Sequence, residues 1–134
     1  MTWTIERVEG AALDLDEVLE VYRCSGLGER RPADDRERMA AMVRNANLVL
    51  VARESDGTLV GIARSVSDFS YVTYLSDIAV AGTRQRSGIG RALIDATRKQ
   101  APTAKIVLLS APAATEYYPH IGFTAHTSAW VLNP

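Results

Sequence analysis

The spacing of hydrophobic residues changes several times along the chain, and each change marks an element. Over residues 2–8, Trp3, Ile5 and, less cleanly, Arg7 alternate against Thr4, Glu6 and Val8, the two-residue period of a strand. From Leu15 the period lengthens. Leu15, Val18, Leu19 and Tyr22 fall on one face of a helix that Asp14 or Asp16 can cap and that Gly26 and Gly28 stop. A second helix is expected after Pro32, with Asp34 and Glu37 spaced as a capping box. Its buried stripe is Met39, Met42, Val43 and Ala46, and Asn47 suits its end. Residues 48–53 then read as a strand, Ser55-Asp56-Gly57-Thr58 as a turn and residues 59–66 as the hairpin partner. A further strand spans 72–80. Beyond a glycine-containing loop, Ile89, Ala92, Leu93 and Ala96 share one helical face until Pro102 breaks the helix. Residues 105–109 predict a short buried strand, 113–118 a short helix closed by Pro119, and 123–132 a last strand. The order β-α-α-β-β-β-α-β-α-β predicts an α/β (α+β) fold, a mixed sheet with helices on both faces.

Composition narrows the field. At 134 residues, without repeats, low-complexity tracts or linkers, residues 1–134 are expected to form one domain, since domains commonly run to ~100–150 residues. A 47% hydrophobic share suits a real core, and a net charge of −1 gives no electrostatic footprint for nucleic acid. The longest apolar runs, such as 48–52, fall far short of the ~20 residues a membrane span needs. The opening Met1-Thr2-Trp3-Thr4 lacks the basic and apolar regions of a signal peptide. A single cysteine, Cys24, leaves no internal disulfide, and a cytoplasmic location is expected. With two histidines far apart and one cysteine, no metal site is expected.

The candidate chemistry lies where residues 72–80 lead through a loop into the next helix. Gln85-Arg86-Ser87-Gly88-Ile89-Gly90-Arg91 sits just ahead of that helix. Helix N-termini carry unpaired N–H groups and partial positive charge, so they bind phosphates. Glycines there let a bulky pyrophosphate reach the backbone. A P-loop would need Gly-Lys-Ser/Thr, but Gly90 is followed by Arg91 and Ala92. A dinucleotide fingerprint would place a third glycine where Leu93 stands and a tight turn directly after the strand. Neither motif fits.

Val80 followed by Gln85-Arg86-Ser87-Gly88-Ile89-Gly90 resembles the coenzyme A loop of the GNAT acetyltransferase superfamily, Gln/Arg-x-x-Gly-x-Gly/Ala. A second block, Ala113-Ala114-Thr115-Glu116-Tyr117-Tyr118-Pro119-His120-Ile121-Gly122-Phe123, resembles that family's Ala-x-x-Phe-Tyr-x-x-x-Gly-Phe segment. The resemblance implies an N-acetyltransferase that moves an acetyl group from acetyl-CoA to a primary amine of a small molecule or peptide. It also implies that the strand ending at Val80 splays from the 105–109 strand. Backbone groups of Ile78, Ala79 and Val80 would then meet the pantetheine arm, and residues from Gln85 through Ser87, Gly88 and Ile89 to Arg91 would hold the pyrophosphate. An alternative within the same fold is a catalytically weak acyl-CoA-binding sensor or interaction module.

Acyl transfer needs a neutral amine, a donor for the oxyanion and a proton for the departing thiolate. The Val80 N–H is the candidate oxyanion donor. By the family motif Tyr118 is the thiolate's proton donor; a phenol of pKa about 10 stays protonated at neutral pH. The other reading of Tyr118 is packing beneath Gly122-Phe123, as is expected of Tyr117. Asp77 is the candidate base for the amine, although strand alternation turns it away from Ile78 and Val80 unless a bulge intervenes. It reads equally as a partly buried carboxylate holding a loop. Arg30-Arg31-Pro32 marks a loop where the family gathers acceptor contacts, or else a solvated charge run. Cys24 reads as a small core residue, His120 as solvated, and Trp3 and Trp130 as packing. The 68–71 hairpin suggests a partly aromatic acceptor pocket, and a loose likeness to plant plastid GNAT enzymes suggests an aromatic amine or a polyamine. The last strand offers an edge through which a homodimer could form.

Overall fold

The computed structural model describes residues 2–134. Five strands form one sheet in the order β1-β2-β3-β4-β5: β1 (Trp3–Val8), β2 (Leu48–Glu54), β3 (Leu59–Ser67), β4 (Val72–Val80) and β5 (Lys105–Val107). The first four pair antiparallel, and β5 joins β4 in parallel after a helical crossover. The helices are α1 (Leu15–Ser25), α2 (Arg36–Asn45), α3 (Ile89–Gln100) and the one-turn α4 (Tyr117–His120). Among the described residues, no helix is long and apolar enough to cross a membrane.

Helices cover both faces of the sheet, which explains why the start of β2, Leu48-Val49-Leu50-Val51-Ala52, is apolar without alternation. Val49, Val51, Ile62 and Ala79 pack with Val18, Tyr22, Met39 and Val43 of α1 and α2. Leu48, Leu50, Ala63 and Leu75 pack with Ile89, Leu93 and Ile94 of α3. A bulge between Arg64 and Ser65, opposite β4 at Ser76, shifts the register so that Leu75 and Ile78 share the α3 face.

Local signals resolve the helix ends. Asp14 caps α1 by accepting the N–H of Asp16, and Gly26 closes the helix in the left-handed region. Asp35, rather than Asp34, caps α2: its carboxylate accepts the Arg38 N–H at 3.1 Å because a turn from Pro32 places the cap one residue later. Asn47 does not end α2. Its amide bonds both the carbonyl and the N–H of Ser67, at 2.8 and 2.9 Å, pinning the start of β2 to the end of β3.

Two expected strands differ in the structure. The one expected over 105–109 stops at Val107 and is half exposed, since it forms the sheet's edge with nothing beyond it. The one expected over 123–132 does not form. Phe123 donates its N–H to the Tyr118 carbonyl at 3.0 Å, which fixes the chain against α4 instead of along β5. Trp130 therefore stands 92% exposed rather than packed, whereas Trp3 lies against the α3-side core.

These placements set opposite expectations for two apolar truncations. Leu93→Ala empties a fully buried site and should cost about 2–5 kcal/mol. Trp130→Ala should stay within about 0.5 kcal/mol of wild type. Urea unfolding of both variants checks the pair.

Candidate active site

Strand β4 builds one wall of the site through its backbone. Ala81 donates its N–H to the Val60 carbonyl at 2.9 Å, and Val80, Ala79 and Ile78 stand opposite Gly61, Ile62 and Ala63 in continuous register. Antiparallel ladders alternate, so Ala79 and Ala81 bond toward β3 while the N–H and C=O groups of Ile78 and Val80 point to the other edge. That edge is open. β5 pairs with β4 only from Val72 to Tyr74, leaving 75–80 without a neighbouring strand. The expected splay is present, and it leaves the N–H and C=O of Ile78 and the N–H of Val80 without a strand partner.

Beyond that edge lies a cleft of about 690 Å³. Its lining comes from the end of α1 and the 3₁₀ turn after it (Ser25, Gly26, Leu27 and Arg30), from Ile78 to Val80, from the loop and first turn of α3, and from Ala111, Ala114, Tyr117, Tyr118 and Ile121. In the loop, Arg84, Gln85, Arg86, Gly88, Gly90 and Arg91 face the cleft. Ser87 and Ile89 do not belong to the lining. The Ser87 hydroxyl bonds the Arg84 carbonyl, and Ile89 is buried against the sheet. Ala79 reaches the cleft beside its neighbours, but its side chain packs in the opposite core layer.

The loop is shaped by its backbone. Arg86 and Gly88 both adopt positive φ, 66° and 89°, which turns the chain sharply before α3 begins. Gly88 costs little there because it has no Cβ. Gly90 is different: a Cβ on it would sit 3.8 Å from Val80 Cγ2 and 3.9 Å from the Tyr117 hydroxyl, ordinary contact distances. Gln85 spends its side chain on carbonyls, donating to Val80 at 3.1 Å and Ser25 at 3.4 Å, so it braces the loop against α1. Cys24 is exposed, not in the core, and its sulfur accepts the Gly82 N–H at 3.3 Å along the same seam.

Both tyrosines of the second motif line the cleft. Tyr118 is half-buried, its ring edge-on to Phe123 at 5.3 Å, and among the described residues its hydroxyl has no hydrogen-bond partner. Burial, then the neighbouring Tyr117, raises its pKa above the usual phenol value and keeps it protonated. Tyr117, expected to pack beneath the Gly122-Phe123 turn, instead stands 42% exposed with its hydroxyl near Gly90; Tyr118 takes the packing position.

Asp77 is not placed as a base. The bulge falls ahead of it and leaves it on the α1 face, opposite Ile78 and Val80. There its fully buried carboxylate accepts from Arg31 Nε, Arg64 Nε and the Tyr22 hydroxyl, each at 2.6 Å. Burial opposes its charge, but the hydrogen bond and charge of Arg64, with Tyr22 and Arg31, outweigh burial and hold the carboxyl below its usual range. Burial and the Asp77 charge together push the Tyr22 phenol far up. The predicted arginine loop therefore divides: Arg31 turns inward to Asp77 and Arg30 faces the cleft. The 68–71 hairpin lies at the far end of β4 from the cleft and contributes nothing to its lining.

A mixed sheet of this order, split beside an open strand edge that runs into a glycine loop, is the framework of an acyltransferase. The model of the acetyltransferase (GNAT) domain matches residues 21–132, and the chain belongs to the GNAT acetyltransferase family, whose members use acetyl-CoA. Solved structures share the fold. A GNAT-family acetyltransferase of Streptococcus pneumoniae TIGR4 is 21% identical, with a TM-score of 0.77 over 98% of this chain and 99% of that one. An aminoglycoside acetyltransferase from an uncultured soil metagenomic sample, bound to sisomicin, is 22% identical, with a TM-score of 0.69 over 99% and 95%. An acetyltransferase of Trypanosoma brucei is 23% identical, with a TM-score of 0.68 over 98% and 99%. No curated protein matches the chain in sequence.

Asp77→Asn should leave the buried Arg64 and the partly buried Arg31 guanidinium without their anion and cost about 3–5 kcal/mol. Because the folded pKa is depressed, the stability tied to Asp77 ionisation is present above the ordinary carboxylate value of about 3.9 and is lost as pH falls through the folded value. Denaturant unfolding across acidic pH should show this component in wild type and not in Asp77→Asn.

Proposed function

We propose that the protein is an N-acetyltransferase that moves an acetyl group from acetyl-CoA to a primary amine by direct attack within a ternary complex. The observation that carries this reading is the open edge of β4, where the N–H and C=O of Ile78 and the N–H of Val80 lack a strand partner beside the loop at the head of α3. The local chemistry fits the co-substrate. An extended amide-bearing arm can pair with Ile78 and Val80 as a neighbouring strand would. Its phosphates can meet the loop, the positive end of α3, and Arg86 and Arg91, which have no ion-pair partner among the described residues.

Acetyl-CoA supplies the activated thioester. The Val80 N–H donates to the oxygen that gains charge as the amine adds to the acetyl carbon. The carbon–sulfur bond then breaks as the new carbon–nitrogen bond is kept, and Tyr118 gives its proton to the departing sulfur. Solvent returns that proton and accepts the one the amine loses, since Asp77 is occupied elsewhere. The sisomicin complex of the soil aminoglycoside acetyltransferase supports a small-molecule acceptor for a fold of this kind.

Two variants test the roles. Gly90→Val should melt near wild type, because its first carbon has room, yet bind acetyl-CoA more weakly by calorimetry as the phosphates lose their approach. Unchanged affinity would remove the loop from the account. Tyr118→Phe should keep stability and acetyl-CoA affinity while the chemical step slows ~10²–10⁴-fold in single-turnover thiol release. A wild-type chemical step would show that Tyr118 is not the acid.

A further inference from the structure

The charge of the cleft is one-sided. Arg30, Arg84, Arg86 and Arg91 line it, and among the described residues no acidic side chain does. Glu29 and Glu116, the acids adjacent in sequence to lining residues, are exposed and lie outside it. Asp77 is buried on the other face of β4 beneath two arginines, so that cluster carries one positive charge in excess rather than a free carboxylate.

The arginines are not equivalent. Arg84 is neutralised by Glu54 through bonds of 3.0 and 2.6 Å. Arg86 and Arg91 flank the glycine loop, where phosphates would meet them. Arg30 comes from a different wall, the 3₁₀ turn that follows α1, and among the described residues its guanidinium has no hydrogen-bond or ion-pair partner. Its own carbonyl accepts from Arg31 at 2.8 Å, which ties the Arg30 backbone to the fixed Asp77 cluster. An unpaired guanidinium on a braced backbone favours a planar anion with two oxygens, which it can hold by two parallel hydrogen bonds. A polycationic acceptor would meet only like charge there.

We infer that the acceptor is a small primary amine that also carries a carboxylate, with Arg30 as the residue that recognises the carboxylate. The inference rests on the acetyltransferase reading and narrows its acceptor class. A cationic wall also favours the neutral form of the acceptor amine, which suits a cleft whose described lining offers no carboxylate base.

The test compares acceptors that differ only in the carboxylate: 4-aminobutanoate against n-propylamine and phenylalanine against phenethylamine, with spermidine as the polycation and a short peptide with a free N-terminus as the chain-borne source. Thiol release from acetyl-CoA gives kcat/KM, and calorimetry gives acetyl-CoA affinity and the affinity of each amine for the protein–CoA complex. The carboxylated amine of at least one pair should be preferred about ten- to a hundredfold, the range of a charge-assisted bond. Arg30→Gln should bring that ratio toward one with acetyl-CoA affinity retained, and Arg30→Lys should restore part of it. Preference for the peptide over both free amino acids would overturn the small-molecule class. Spermidine or the plain alkylamines matching the carboxylated ones in wild type would overturn the inference. So would Arg30→Gln weakening acetyl-CoA while the ratio persists, since Arg30 would then serve the co-substrate. Where acetyl-CoA binds but no amine is turned over, the amine affinities decide: a carboxylate preference lost in Arg30→Gln supports the inference, and equal affinities overturn it. Failure to bind acetyl-CoA at all is a separate result, and it removes the acetyltransferase reading itself.

Discussion

One carboxylate holds together the parts of the molecule that must stay in register for a cleft to exist. Asp77 lies on β4, Arg64 on β3, Tyr22 on α1 and Arg31 in the segment leading to α2, and their bonds converge on its two oxygens. The remaining guanidinium nitrogens are also used: Arg64 reaches the Met42 carbonyl and the Ser76 hydroxyl, and Arg31 reaches the carbonyls of Ser76 and Arg30. Such a buried cluster adds little net stability compared with apolar packing, but breaking its arrangement leaves a buried charge uncompensated. Here that arrangement fixes the segment carrying Arg30 against the strand that presents Ile78 and Val80.

The same strand serves two layers at once. Asp77 and Ala79 face α1 and belong to the scaffold, while Ile78 and Val80 turn their backbone groups to the open edge. Alternation makes this division automatic once the bulge at Ser76 sets the phase. The early end of β5 then frees the edge. Opposite it, the loop from Gly82 onward is braced by Gln85 on two carbonyls and by the Cys24 sulfur on Gly82.

Much of this was legible in residue spacing. The bounds of β4, the hairpin before it and the amphipathic faces of α1 and α3 follow from periodicity, because burial of those faces decides their structure. The glycine loop and the tyrosine pair were legible as motifs, and both line the cleft. The Asp77 cluster was not. Tyr22, Arg31 and Arg64 lie 55, 46 and 13 positions from Asp77, and only the tertiary fold brings them together. An aspartate between Ser76 and Ile78 on an otherwise largely apolar strand was the available signal, and it pointed to a buried partnered group as readily as to a base. The C-terminal segment misled for a related reason: its strand depended on a tertiary pairing, and the tail is instead fixed to α4 where Phe123 bonds the Tyr118 carbonyl.

The central claim is that the open edge of β4 receives the pantetheine arm. Residue-resolved amide hydrogen exchange tests it most directly. Without ligand, the N–H groups of Ile78 and Val80 should exchange faster than that of Ala79, which bonds toward Ile62 on β3. Saturating coenzyme A should slow exchange at Ile78 and Val80 and leave Ala79 protected throughout. Bound coenzyme A with no change at Ile78 and Val80 would contradict the account.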